Sequence, residues 1–168
     1  MDALTIDIRP AETEDTWQVA ETHCQSWEYA YNGLLPHTSL RKMFERRNAT
    51  WWRRAITGTA NVMVLDVGGT IAGYATFGKN RVVEFSEEGE IYELYLRPEY
   101  QGVGLGRKLF TESLRFLDTL GYEGCIVWSL EDNDGANRFY QAMGGEQMAK
   151  GYEVFNGKKF PKIAFTWT

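Results

Sequence analysis

The sequence is poor in side chains that bind metals or form cross-links, because its 168 residues include only two cysteines and two histidines. Cys24 and Cys125 lie far apart and lack the paired spacing of a zinc site or of a small disulfide framework. We therefore expect two buried thiols and no metal cofactor. His23 lies on a predicted helix, where we expect a packed or surface residue rather than a catalyst.

The sequence also lacks a long apolar run and a large charge of one sign. No segment approaches the roughly 18 to 20 apolar residues that cross a bilayer, and the first residues have neither the basic start nor the apolar centre of a signal peptide. We expect a cytoplasmic protein with no membrane partner. Lys and Arg number 18 against 23 Asp and Glu, a net charge of −5. This balance argues against nucleic acid as the main ligand, because phosphate contacts need a basic face.

Regular strand and helix patterns run through residues 1–168, and with 43% apolar residues we expect a single domain. Period-two alternation and β-rich runs predict strands at residues 4–9, 61–67, 70–77, 90–97, 125–130, 146–155 and 159–168. Apolar residues at helical spacing predict helices at residues 13–30, 38–56, 104–120 and 135–143.

The resulting order, β-α-α-β-β-β-α-β-α-β-β, predicts an α+β (mixed α/β) fold. We expect a central twisted mixed sheet of about seven strands with about four helices on its two faces. The strands at 90–97 and 125–130 are separated by one helix. Because a strand-helix-strand unit ordinarily places its strands side by side and parallel, we expect these two to be parallel neighbours.

Three glycines, Gly102, Gly104 and Gly106, follow the strand at 90–97 and extend into the first turn of the next predicted helix. Glycine adopts positive φ without strain, and the first turn of a helix carries unpaired N–H groups and a partial positive charge, so phosphates bind there. A Walker-type loop needs Gly-Lys-Ser/Thr, whereas the last of these glycines is followed by Arg-Lys-Leu. A dinucleotide fingerprint needs its glycines directly after a strand. The local pattern leaves an anion site and a plain helix-start turn open.

Residues 94–106, Leu-Tyr-Leu-Arg-Pro-Glu-Tyr-Gln-Gly-Val-Gly-Leu-Gly, resemble the acetyl-CoA signature of the GNAT family of N-acetyltransferases. The signature core, Arg/Gln-x-x-Gly-x-Gly/Ala, is filled by Gln101, Gly104 and Gly106. Residues 130–144 resemble the second conserved block of that family, and the predicted element order agrees with its fold. The resemblance extends over nearly the whole chain, although the first two helices match only in pattern.

The resemblance implies acetyl-CoA as the donor, with its diphosphate on the backbone amides of the glycine loop and its pantetheine arm beside the preceding strand. The implied cofactor-binding residues are Leu94, Tyr95, Leu96, Gln101, Gly102, Val103, Gly104, Leu105, Gly106, Arg107, Asn133 and Asn137. On local pattern alone, the two asparagines are explained equally well as a helix cap and a turn residue.

The implied reaction is the transfer of an acetyl group by direct attack of a primary amine on the thioester. It needs a proton donor for the leaving thiolate and a base for the amine. Tyr140 matches the family tyrosine that faces the thiol and is the implied general acid; without the resemblance it is explained as a core aromatic. Glu93 is the favoured base and Glu90 the second choice, with water or no dedicated base as the third. Because side chains alternate along a strand, Glu90 and Glu93 lie on opposite faces unless a bulge intervenes.

Trp27 and Tyr31 lie on the helix that overhangs the acceptor cleft in this fold, and with Glu90 they are the candidate acceptor residues. An aromatic and acidic lining attracts a cation, although a hydrophobic seam explains both aromatic residues equally well. We expect a small amine or a polyamine-like cation as the acceptor. Protein N-termini or lysines as acceptors, a catalytically silent acyl-CoA-binding module and a homodimer remain open.

Overall fold

The computed structural model describes residues 4–168. Seven strands form one sheet: β1 (Ile6–Pro10), β2 (Asn61–Val67), β3 (Thr70–Lys79), β4 (Gly89–Leu96), β5 (Cys125–Leu130), β6 (Glu146–Phe155) and β7 (Lys158–Trp167). Their order across the sheet is β1-β2-β3-β4-β5-β7-β6. All neighbours are antiparallel except β4 and β5, which are parallel. The predicted mixed fold and the predicted parallel pair are confirmed.

Five helices accompany the sheet: α1 (Thr16–Tyr31), α2 (His37–Arg46), α3 (Ala49–Thr57), α4 (Leu105–Thr119) and α5 (Asp134–Ala142). Within residues 4–168, none of them combines the length and the apolar character needed to cross a membrane.

The prediction of a single helix over 38–56 is wrong, because α2 and α3 share that segment. Arg47 leaves the helical conformation, with φ −95° and ψ 50°. The side-chain oxygen of Asn48 then accepts a hydrogen bond from the backbone N–H of Trp51 at 3.0 Å. Asparagine is a strong N-cap residue, so it begins a new helix instead of continuing the previous one.

Helices cover both faces of the sheet, which we call face 1 and face 2. Face 1 packs against α4 and α5 through a core that includes Leu65, Ile91, Leu109, Val127 and Phe165. Face 2 packs against α1 and α3 through Val19, Trp52, Val64, Ile71 and Tyr74. A third cluster joins α1 and α2 to the β6–β7 hairpin and contains Trp27, Tyr31, Leu35, Leu40 and Leu130, with Phe155 and Phe160 against them.

The parallel strands β4 and β5 pair over only a short stretch, in which residues 89–91 lie opposite residues 125–127. Beyond Ile91 the two strands separate. The second half of β4 consequently has no strand partner on that side, and the backbone N–H and C=O groups of this edge need another partner.

A β-bulge interrupts the pairing of β3 with β4. Thr76 lies opposite Glu93, whereas the next residue of β3 lies opposite Ile91, so Tyr92 is the extra residue. Because the extra residue resets the alternation of side chains, Glu90 and Glu93 both point to face 2. The sequence predicts opposite faces for these two residues unless a bulge lies between them, and such a bulge is present.

Both cysteines are free thiols, but only Cys125 is buried. Cys24 is half-buried on α1, and burial, with the nearby carboxylates of Glu28 and Glu21, raises the pKa of its thiol. The prediction of two buried thiols is confirmed for Cys125 and wrong for Cys24.

Candidate active site

A cavity of about 470 Å³ opens where β4 and β5 separate. Its walls come from the second half of β4, the glycine loop before α4, and α5. It is lined by most of the predicted site residues: Leu94, Tyr95, Leu96, Gln101, Gly102, Gly104, Gly106, Arg107, Asn133 and Tyr140. The predicted residues that are not among the described residues lining it are Val103, Leu105, Asn137, Glu93, Glu90, Trp27 and Tyr31.

The glycine loop has a backbone conformation that favours glycine. Gly102 and Gly104 have φ values of 81° and 86°, and Gly104 is the N-cap residue of α4. The N–H groups in the first turn of α4 follow directly on this loop and have no helical acceptor, which is the arrangement that binds a phosphate. The side-chain amide of Gln101 ties the loop to β4 by donating to the Leu96 carbonyl at 3.3 Å.

Three other residues of the loop contribute through packing or backbone alone. A Cβ atom at Gly106 would lie 3.4 Å from the ring of Phe139, so α4 and α5 are close to van der Waals contact at this position. Val103 is 73% exposed, and Leu105 is buried in the core of face 1. Neither of these two side chains is positioned to bind a ligand in the cavity.

The two predicted asparagines serve the start of α5. The side-chain oxygen of Asn133 accepts a hydrogen bond from the N–H of Ala136 at 3.3 Å, so Asn133 caps the helix. The side-chain nitrogen of Asn137 donates to the carbonyls of Leu130 at 3.3 Å and Glu131 at 2.9 Å. Asn133 both caps α5 and lines the cavity, whereas Asn137 fixes the connection from β5 to α5.

Tyr140 projects from α5 to the cavity wall and is 6% exposed. The ring centres of Phe110 and Phe165 lie 6.2 Å and 5.8 Å from its own. Burial raises the pKa of Tyr140 above its usual value. The phenol is therefore protonated at neutral pH and can act as a proton donor.

The two candidate bases are both buried and both ion-paired. Glu93 is 8% exposed; its Oε1 accepts a hydrogen bond from Arg47, and its Oε2 accepts one from the Tyr74 hydroxyl at 2.8 Å. Glu90 is 1% exposed and accepts from the guanidinium of Arg81 at 2.7 Å and 3.2 Å. A base role for either carboxylate therefore requires one of these bonds to open or a water molecule to relay the proton.

The candidate acceptor residues Trp27 and Tyr31 are buried in the cluster that joins α1 to the hairpin. The Trp27 indole N–H donates to the Tyr74 hydroxyl at 3.1 Å, and the hydroxyls of Tyr31 and Tyr95 lie 2.5 Å apart. These contacts agree with the packing explanation for the two aromatic residues. Their direct contact with an acceptor stays a prediction.

His23 lies inside an aromatic box and is fully buried. Its ring centre is 4.9 Å from that of Trp27 and 5.6 Å from that of Trp52. Burial lowers the pKa of His23 to about 3, with a smaller contribution from the charge of Arg47. The imidazole is therefore neutral and packed. Among residues 4–168, no group of three or more His, Cys, Asp or Glu side chains is arranged to hold a metal ion.

Three residues that contact the candidate bases are missed by the sequence analysis, Arg47, Arg81 and Tyr74, as are several that line the cavity, among them Tyr29, Ala30, Phe139 and Met143. Arg47 reaches Glu93 from the break between α2 and α3. The cap preference of Asn48 was the available signal for that break. Arg81 and Tyr74 contact β4 through tertiary pairing, for which the sequence carries no local signal.

Comparison with known proteins agrees with the fold. The family model of the acetyltransferase (GNAT) family matches residues 16–144. An uncharacterized N-acetyltransferase of Bacillus subtilis (strain 168), YuaI, is 29% identical over 163 residues, which cover 96% of this chain and 92% of that protein. A spermidine N(1)-acetyltransferase of Thermoplasma acidophilum is 22% identical over 143 residues, covering 84% and 88%. The crystal structure of the PaiA N-acetyltransferase from Thermoplasma acidophilum in complex with coenzyme A shares the fold, with a TM-score of 0.77, 20% identity and coverage of 97% and 99%.

Replacing Gly104 with aspartate should weaken the binding of acetyl-CoA, the donor implied by the signature, by roughly tenfold or more, which is about 1.4 kcal/mol. The new carboxylate would face the diphosphate at a backbone position with φ 86°. Isothermal titration calorimetry measures the effect. Gly121→Asp is the matched control, because Gly121 has φ 88° and open space around it but follows the other end of α4. Equal affinities of the two variants for acetyl-CoA would show that the glycine loop is not part of the binding site.

Proposed function

This chain belongs to the acetyltransferase (GNAT) family, and from that premise we propose that it moves an acetyl group from acetyl-CoA to the primary amine of a small molecule. One observation carries the proposal: the glycine loop, the unpaired half of β4 and Tyr140 line the same cavity. An anion site, an extended backbone edge and a proton donor are thus available to one ligand.

Acetyl-CoA supplies the thioester that the amine attacks. Residues 101–106 hold its diphosphate through their backbone N–H groups, and Arg107 adds a cation in the first turn of α4. The edge of β4 at residues 94–96 pairs with the amide groups of the pantetheine arm as it would with an added strand. Asn133 lies beside this path at the start of α5. The coenzyme A bound in the PaiA structure supports this choice of donor.

Tyr140 is the proposed general acid, which protonates the departing thiolate. The unperturbed pKa is about 10 for tyrosine and about 8.5 for a thiol such as cysteine, so the transfer in water is uphill by roughly 2 kcal/mol. Burial raises the pKa of Tyr140, but the thiolate departs into the same cavity, where desolvation raises the pKa of the thiol as well. The two changes act in opposite directions on the free energy of the proton transfer.

Glu93 is the proposed base, acting directly or through water. It lies on the part of β4 where the strand has left β5, two positions beyond the last paired residue, Ile91. Its bonds to Arg47 and Tyr74 hold the carboxylate in one orientation. Glu90 is the weaker candidate, because it is 1% exposed and Arg81 covers it.

Contacts between α2 and the hairpin support a small amine over a protein chain. The third cluster packs α1 and α2 against the hairpin, and the Lys42 ammonium donates to the Asn156 side chain at the hairpin turn at 3.3 Å. The relative named as a spermidine N(1)-acetyltransferase supports a small amine and, within that class, a polyamine-like cation.

An acceptor screen with acetyl-CoA tests the proposal. Free thiol is measured across polyamines, amino acids, aminoglycosides and short peptides. We expect acceptor-dependent thiol release with small amines that exceeds the release with peptides. Faster turnover of peptides would favour a protein acetyltransferase, and tight binding of acetyl-CoA without turnover of any amine would indicate a silent acyl-CoA-binding module.

Tyr140→Phe should lower kcat by roughly a hundredfold, because a positioned general acid commonly contributes that much or more. The Kd of acetyl-CoA should change little, since the aromatic ring stays in place. Tyr122→Phe is the control, because Tyr122 packs at the edge of the same core but does not line the cavity. Equal turnover by Tyr140→Phe and the unmodified protein would refute the general-acid role.

Glu93→Gln should lower kcat and abolish the limb of the pH–rate profile in which activity rises with pH, because no carboxylate is left to lose its proton. Tyr74→Phe is the companion variant, since it removes one hydrogen bond to Glu93 and keeps the carboxylate. That variant should retain a rising limb at a shifted position. A rising limb that is unchanged in Glu93→Gln would assign the base role to water or to another group.

A further inference from the structure

Arg81 lies in the loop that joins β3 to β4, and Glu90 fixes its position. Its Nε and Nη2 donate to the two carboxylate oxygens at 3.2 Å and 2.7 Å, and its backbone N–H donates to Oε1 at 3.0 Å. The ring of Tyr92 lies under the guanidinium, 4.5 Å from its carbon. Gly78 makes room for this ring, because a Cβ there would lie 2.9 Å from the Tyr92 hydroxyl.

The guanidinium is held firmly but remains accessible. The Arg81 side chain is 65% exposed, whereas Glu90 is 1% exposed. The hydrogen bonds of the guanidinium use Nε and Nη2, so Nη1 has no partner among residues 4–168. A planar guanidinium with a fixed orientation and a free outer edge is suited to bind a carboxylate with good geometry.

Closing the loop does not require this guanidinium. The backbone N–H of Asn80 donates to the Glu88 carbonyl at 2.8 Å, and the Asn80 side chain donates to the Glu87 carbonyl at 2.7 Å. Asn80 also accepts from the N–H of Val82 at 2.9 Å. These bonds already join the two ends of the loop. The buried Glu90 therefore serves to orient the guanidinium of Arg81.

The position of Arg81 relates it to the reaction. The bulge at Tyr92 puts Glu90 and Glu93 on the same face, and Glu90 is one residue before the last pair between β4 and β5. Across the strands, Phe85 of the same loop stacks on Trp128 of β5, with ring centres 6.2 Å apart. Arg81 is therefore bonded to a residue that shares face 2 with the proposed base, Glu93.

Two ion pairs already occupy charges near Arg81. Lys162 donates to Glu153 at 2.9 Å and lies 4.4 Å from the centre of the Trp128 ring, and Arg47 is bonded to Glu93. In the loop itself, Glu88 accepts from the backbone N–H of Glu123 at 2.9 Å, and Glu84 has no ion pair among residues 4–168. An anionic group can still bind the free edge of Arg81.

We propose that Arg81 binds a carboxylate of the acceptor, so that the acceptor is an amine of the amino-acid type rather than a polyamine. Glu90 is then a positioning residue for Arg81 and not the base. This inference rests on the proposed acetyl transfer to a small amine and names the class of that amine.

Amino acids and the diamines formed by their decarboxylation give matched acceptors. Ornithine and putrescine differ only by the carboxylate, as do lysine and cadaverine, and all twenty common amino acids complete the panel. We expect the amino acid of each pair to exceed its diamine in kcat/KM by about 10- to 100-fold, which is the range of one charge-assisted hydrogen-bonded pair.

Arg81→Gln should remove this preference through a higher KM for the amino acid, with kcat at saturation, the rate with the diamine and the Kd of acetyl-CoA nearly unchanged. Arg115→Gln is the matched control, because Arg115 is 66% exposed and ion-paired to Glu112 on α4, away from face 2. A purely structural role for Arg81 would instead lower stability and affect both acceptors alike. Thermal unfolding of each variant measures the loss of stability that a purely structural role predicts.

The inference is overturned if diamines equal or exceed their amino acids, if Arg81→Gln keeps the preference, or if no amino acid of the panel is acetylated while other amines are. If no amine is acetylated, the proposed function fails. Saturation-transfer NMR can still test whether Arg81 binds the carboxylate of a ligand. Ornithine and putrescine are then added to protein loaded with coenzyme A. A signal from ornithine that Arg81→Gln abolishes supports the subsite, and equal or absent signals from both overturn it.

Discussion

The separation of β4 from β5 beyond Ile91 is the constraint on which the rest of the site depends. A strand in the middle of a sheet must satisfy its N–H and C=O groups on both sides, and a buried group left unpaired costs about 1 to 3 kcal/mol. The second half of β4 instead lines a cavity. The fold thus prepares an extended edge for a ligand with amide groups, and the glycine loop beyond that edge adds a place for its phosphates.

The bulge at Tyr92 determines the faces to which the side chains of Glu90 and Glu93 point. Without the extra residue, Glu93 would still point to face 2, but Glu90 would turn to face 1, where the apolar cluster around Ile91 and Val127 lies. An unpaired carboxylate in such a cluster is costly. The bulge lets both carboxylates share one face, where each meets an arginine.

The fold and the donor half of the site could be predicted because their signals are local. Residues 94–106 carry the glycine pattern in one continuous segment, and either apolar alternation or a β-rich run marks every strand of the sheet. The acceptor half depends on contacts that no local pattern encodes. Arg47 and Glu93 are 46 residues apart in sequence, and they meet only because the chain breaks its helix before Asn48. The bulge enters the sequence analysis only as a condition, because the mostly apolar run at 91–96 does not mark where the alternation changes phase.

Ion pairing beside β4 determines which charges an acceptor encounters. The chain carries a net charge of −5, which by itself favours a cationic acceptor. Screening limits the reach of exposed charges to about 8 Å at physiological ionic strength, so groups on distant helices contribute little at this point. Glu90 and Glu93 on β4 and Glu153 on β6 each contact one arginine or lysine. These three carboxylates are therefore neutralised, which leaves the free edge of Arg81 as a contact for an anion. Composition and geometry thus point to different acceptors, and the geometry describes the groups that an acceptor would contact.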